Sequence, residues 1–203
     1  MSFNFKKLSL IIIPFIAIIV LFLWVTGFIG IWTEGISYIA NNTKEFTESG
    51  GHILEGKYSV SIDLSDLESN IGKELYNDGT HRIYVSWVDN TGNVSTGGYR
   101  IGFRSSGYYS INTATLISGI HHATVDEGSF TMNMSASMTA KYNGKVYKSS
   151  IFGTGGLNYK DGDVFSFYLF PVEAYDKKEV SLNETGVAEL TVTDLYKNIW
   201  NKK

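Results

Sequence analysis

From Phe130 to Ala140 apolar and polar residues alternate without a break: Phe130, Met132, Met134, Ala136, Met138 and Ala140 on one side, Thr131, Asn133, Ser135, Ser137 and Thr139 on the other. A period of two puts one side chain set on each face of an extended chain, so this stretch reads as a strand with one face toward a core. Asn143-Gly144 then supplies the left-handed pair of a type I′ turn, and the chain returns through KVYKSSIF. Pairing across that turn sets Ala140 opposite Tyr147, Ala136 opposite Ile151 and Thr139 opposite Lys148, which keeps the apolar face apolar. Its methionines read as core filler, because a thioether fits irregular gaps.

The same period recurs along the chain. KYSVSIDL places Tyr58, Val60, Ile62 and Leu64 on one face, and RIYVSWV (82–88) and VSTGGYRIGF (94–103) form a second hairpin with glycine at a bulge or bend. On its first strand, strict alternation gives Ile83, Val85 and Trp87 one face and Tyr84, Ser86 and Val88 the other. YYSINTATLI (108–117) is β-prone. DVFSFYLF (163–170) is apolar on both faces, as in a covered central strand, and VAELTVTDL (187–195) turns Leu190 and Val192 inward. Leu64, Leu67, Ile71 and Leu75 recur at helical spacing, with Ser65 and Glu68 as a capping box and Asn77-Asp78-Gly79 as a stop. Short strands with one short helix predict an all-β fold over residues 53–195, an antiparallel β-sandwich of jelly-roll or Ig-like type. Residues 196–203 read as a tail; within DLYKNIWNKK, Asp194 caps a short basic amphipathic helix bearing Leu195, Ile199 and Trp200.

The N-terminus is of another kind. No charged residue occurs from Leu8 to Trp32, a run that as a helix reaches roughly 37 Å against a hydrocarbon core of about 30 Å. It is longer than the apolar region of a secretory signal and exits through Phe28, Ile29, Ile31 and Trp32 rather than small residues. The expectation is a single transmembrane signal-anchor helix over 8–32. Lys6 and Lys7 precede it and Glu34 follows, which keeps residues 1–7 in the cytoplasm and sends the rest outside; residues 33–52 read as a juxtamembrane spacer. The helix then has membrane lipid as a partner and the protein is single-pass in the cell membrane.

The 203 residues carry a net charge of -3, without a basic patch, which argues against nucleic acid. Cysteine is absent, so packing alone must hold a domain exported to a space where disulfides persist. No nucleophile elbow, phosphate loop or His-Glu-x-x-His occurs, so no catalytic residue and no cofactor are assigned.

Two groups of candidate site residues remain. Tyr84, Tyr99, Arg100, Tyr108 and Tyr109, close to Trp87, Phe103 and Arg104 in sequence, are a candidate aromatic surface for stacking on sugar rings or anchoring a protein. His121, His122 and Asp126, next to Glu127, are a candidate metal set, although adjacent histidines on an extended chain point to opposite faces. The oxygen-rich turns at 89–93 and 161–163 resemble calcium loops but lack the closing glutamate. The preferred expectation is a non-enzymatic, membrane-anchored extracytoplasmic binding protein whose partner is a protein or cell-envelope polymer, or an accessory subunit of an envelope complex. The rivals are an anchored metal-dependent hydrolase acting on envelope material and a sensory ectodomain, the latter weakened by the few residues that precede the span.

Overall fold

The computed structural model describes residues 5–126 and 129–203, with side chains from Ile12 onward. Residues 1–4, Glu127 and the side chains of Lys6 and Lys7 lie outside the described residues.

Strands make up 45% of the structure and all their pairings are antiparallel, so the class is all-β. One sheet runs in the order β14 (Lys145–Lys148), β13 (Ser137–Tyr142), β17 (Val187–Thr193), β3 (Tyr58–Asp63). A second runs β15 (Ser150–Thr154), β16 (Val164–Tyr168), β6 (Tyr99–Ser106), β5 (Arg82–Asn90), β4 (Glu74–Asn77). These two form the sandwich. Val60, Ile62, Met138, Ala140, Leu190 and Val192 of the first meet Ile83, Val85, Ile101, Phe103, Phe165 and Phe167 of the second in one core.

A third sheet, β1 (Phe46–Glu48), β18 (Tyr196–Lys202), β8 (Thr113–Ser118), β7 (Tyr108–Tyr109), with β2 (His52–Ile53) also on β18, extends the structure at one end. Two small ladders, β9 (Ile120–His121) with β12 (Asn133–Met134) and β10 (Thr124–Asp126) with β11 (Ser129–Phe130), complete it. Helices α1 (Phe5–Val25), α2 (Phe28–Glu34) and α3 (Ile36–Asn41) lead the chain, and α4 (Val172–Asp176) follows β16.

The hairpin at Asn143-Gly144 has the expected register, with Ala140 opposite Tyr147 and Thr139 opposite Lys148. Beyond it the expectation fails. Ala136 does not pair with Ile151, because Ser149 carries the chain from one sheet to the other and Ile151 pairs with Phe167. The alternating run is also not one strand: Phe130, Met134 and Met138 belong to β11, β12 and β13, each on a different partner, and Met132 is exposed. Alternation fixes which way side chains point but not which ladder each segment joins.

Three helical or linker readings give way. Residues 64–77 form a 3-10 turn at Glu68–Asn70 and then β4, because Asn70 is buried and bonds the backbone of Asp63, Asp66 and Leu67, clamping a loop where a helix would run. The tail is β18 up to Lys202, hydrogen-bonded to β1, β2 and β8 and burying Asn198 and Trp200 on one face, a strand's spacing of two that parts Trp200 from Ile199, its neighbour in the expected helical stripe. Residues 33–52 are no polar spacer, since Ile36, Ile39, Ala40 and Phe46 pack with Ala114, Leu116, Leu157 and Trp200 in a second core.

Among the described residues no single helix is long and apolar enough to cross a membrane, which corrects the expected unbroken span over 8–32. α1 and α2 meet the criteria of length and composition only as a pair bent by 70°. The bend sits at Gly27, whose left-handed φ of 73° ends α1. Gly27 and Gly30 leave room for Tyr38 of α3; a Cβ on Gly30 would lie 2.2 Å from its ring. Gly35 lies against the Lys160 carbonyl, which accepts from the Ile36 amide at 2.8 Å. The N-terminal helices are thus locked to the domain.

Because Trp200 is 1% exposed at the centre of the second core, Trp200→Ala is expected to cost about 3–5 kcal/mol in chemical denaturation, where truncating a frayed tail residue would cost almost nothing. The turn before β5 gives a pH prediction. Burial opposes charge on Asp78, but the amides of His81 and Thr80, the His81 ring and the Tyr76 hydroxyl outweigh it and hold the carboxyl below its ordinary value of 3.8. Its stabilisation is therefore full above that value and is lost as pH falls through the folded pKa. Asp78→Asn is expected to flatten the acid side of a plot of melting temperature against pH.

Candidate functional site

The outer face of the second sheet, that of β15, β16, β6, β5 and β4, collects the protein's three arginines together with several aromatic side chains. On β6, Ile101, Phe103 and Ser105 point into the sandwich, which leaves Arg100, Gly102 and Arg104 on the other face. β5 is bulged: Val85 pairs with Phe103 and Trp87 with Gly102, so Ser86 is skipped. The bulge corrects the strict alternation expected here, turning Trp87 from the face of Ile83 and Val85 to that of Tyr84.

Two clusters follow on this face. In one, the Arg100 guanidinium lies 4.5 Å from the Phe152 ring centre and 5.9 Å from that of Trp87, and its Nε donates to Asp89 at 2.9 Å. Phe152 meets Trp87 edge to face at 6.0 Å and Tyr168 at 5.2 Å. In the other, Arg104 sits 4.1 Å from the Tyr159 ring centre, donates to the Tyr84 hydroxyl at 3.1 Å and to Asp161 at 2.6 Å. Arg82 stacks on Tyr84 and pairs with Glu74.

The hydrogen bond to Asp89 raises the Arg100 pKa above its already high value. For Arg104 burial works in the opposite direction, but Tyr84 and Asp161 outweigh it and again the pKa rises. Both guanidiniums stay charged at any physiological pH.

Of the five candidate surface residues, the structure brings together Tyr84 and Arg100. Tyr99 is 2% exposed, a correction: its hydroxyl donates to the Leu182 carbonyl and accepts from the Glu184 amide, inside the core. Tyr108 and Tyr109 lie on β7 in the third sheet, where Tyr108 is half exposed and Tyr109 packs on the second core. Sequence reasoning missed Phe152, Tyr159 and Tyr168, which are far in sequence from the hairpin over 82–103. The glycine at position 102, opposite a tryptophan, was the available signal.

The histidines separate as adjacent residues on a strand should. His121 stacks on Tyr196 at 4.0 Å and bonds Glu48 at 2.8 Å. His122 is fully buried, its Nε2 2.6 Å from Asp163, whose carboxylate also accepts from Ser118 at 2.8 Å. Asp126 is exposed on β10. No group of three His, Cys, Asp or Glu side chains among the described residues is placed to hold a metal ion. Serine, aspartate and histidine meet here, but Ser118 bonds the acid rather than the imidazole, and all three are buried, so the geometry for activating a hydroxyl is absent at this trio. The calcium-like turns are also engaged: Asp89 and Asp161 pair with Arg100 and Arg104, and Asp163 with His122.

No protein-family profile, curated protein or solved structure matches the chain.

Removing His122 leaves the Asp163 carboxylate buried with Ser118 alone as side-chain donor, so His122→Ala is expected to cost about 3–5 kcal/mol. His121→Ala, at a half-buried pair, is expected to cost under about 1 kcal/mol. Urea denaturation of the two variants checks the contrast.

Proposed function

We propose that the protein is a non-enzymatic binding module held at a membrane by its bent N-terminal helices. Its β domain lies on the extracytoplasmic side and offers the open face of the five-stranded sheet to a protein or cell-envelope polymer, alone or as an accessory subunit of an envelope complex. The observation that carries the reading is the apolar surface of α1: from Ile12 to Val25 its large side chains other than Leu23 are 42–70% exposed, and the domain does not cover them. Surface of that extent is unfavourable in water and favourable in lipid, at about 25 cal/mol per Å².

α2 continues the same surface through Phe28 and Trp32, also exposed. Lys6 and Lys7 before the apolar run support a cytoplasmic N-terminus. The locking of α3 to the domain through Tyr38, Gly35 and Lys160 supports a module presented in a fixed orientation rather than on a loose tether. The hydrolase alternative gains no support, because His121, His122 and Asp126 each face different surroundings.

Flotation with phosphatidylglycerol-containing liposomes tests the membrane half of this reading. The full chain is expected to float with the lipid, and a Leu21→Glu, Trp24→Glu variant to remain largely at the bottom. A full chain that stays with the soluble fraction would overturn it. In intact host cells a membrane-impermeant amine reagent is expected to label Lys145, 58% exposed at its side chain; labelling only after lysis contradicts the assigned side.

A further inference from the structure

On the reading of the sheet face as a binding surface, we infer that its ligand is a neutral glycan chain whose sugar rings stack along Trp87, Phe152 and Tyr168.

The argument begins with two glycines. A Cβ on Gly102 would lie 2.1 Å from the indole Nε1 of Trp87, and one on Gly97 would lie 1.9 Å from Cε1 of Tyr168. Each ring therefore occupies the space a neighbouring side chain would fill and rests on backbone, and both rings remain partly exposed. Gly97 is required twice, since its φ of 99° also disfavours a side chain. Phe152, 40% exposed, stands between the two rings. Beyond Tyr168 the row runs into a recess of about 190 Å³ lined by Val94, Ser95, Ser150, Phe170 and Val172. The result is an extended aromatic surface, its neighbouring rings meeting edge to face, rather than a single spot, which suits a polymer.

Charge decides among ligand classes. The face carries three arginines and three carboxylates, paired as Arg82 with Glu74, Arg100 with Asp89 and Arg104 with Asp161. The pairs cancel, so an anionic polymer finds no uncompensated cation to neutralise. The rings also have polar neighbours at close range, since the Arg100 guanidinium lies over the central ring, that of Phe152. A neutral pyranose matches both features. One face of the sugar is a patch of C–H groups that packs on an aromatic ring, and its rim is a set of hydroxyls that donate to the carboxylates and accept from the guanidiniums beside the rings.

The test uses the full chain in lipid nanodiscs on an array of neutral oligosaccharides built from glucose, galactose, mannose and their N-acetylamino forms, with sulfated and uronic-acid oligosaccharides alongside. Binding to at least one neutral chain is expected, rising with chain length and insensitive to salt. Trp87→Ala is expected to weaken it at least about tenfold. Phe152→Ala, at an edge strand where truncation leaves the core untouched, guards against a folding artefact and is expected to weaken it too, while Tyr108→Ala on the third sheet has no effect. Binding confined to the anionic chains, or no binding to any glycan, overturns the inference. If the array is blank but a cross-linked envelope protein is recovered in a manner that depends on Trp87, the surface is a protein site, and the binding-module reading survives while the glycan does not.

Discussion

Everything beyond the two-sheet sandwich hangs from one buried polar junction. Asp163, at the entry to β16, accepts from His122 and Ser118, while Asn198 of β18 accepts from the His122 amide and donates to the carbonyls of Leu116 and Ile120. All four side chains are fully buried. Burying such groups is costly unless they are hydrogen-bonded, and these bonds tie the third sheet to the sandwich, with the His122 Nδ1 alone among the four side chains' buried polar atoms left without a partner. With the third sheet fixed, the second core has a floor, and the N-terminal helices have a surface to pack on.

The open face of the five-stranded sheet depends on a different economy of space. Its aromatic rings cluster because the backbone beneath them is bare at Gly102 and Gly97 and because the bulge after Val85 turns Trp87 over. Arginine planes fill the gaps between rings, and each arginine has its own carboxylate. The side chains of this face are thereby held by one another.

The helices and the domain are coupled through glycines as well. In the sequence Gly27 and Gly30 look like ordinary residues of a membrane helix, and in the structure they seat Tyr38 of the same chain. The bend at Gly27 turns the path of the chain, so that α3 meets β1 and β8 and the apolar α1 points away from the sandwich.

The sequence by itself determined the all-β class, the hairpin register at Asn143-Gly144, the inward faces of β3 and β17, and the apolar N-terminus. Each of these follows from periodicity or turn chemistry acting over a few residues, which a chain cannot conceal. Only the tertiary structure decided that Trp87 faces outward, that Tyr99 is buried, that residues 64–77 and 196–203 are not helical, and that Phe152, Tyr159 and Tyr168 join Arg100 and Arg104. A bulge shifts a face by one residue without changing composition, and a short apolar segment satisfies a helix and a strand equally well until a partner ladder claims its hydrogen bonds. Contacts between residues more than fifty positions apart leave no local trace, and it is such contacts that bring Phe152 to Arg100 and Trp87, and Tyr159 and Asp161 to Arg104.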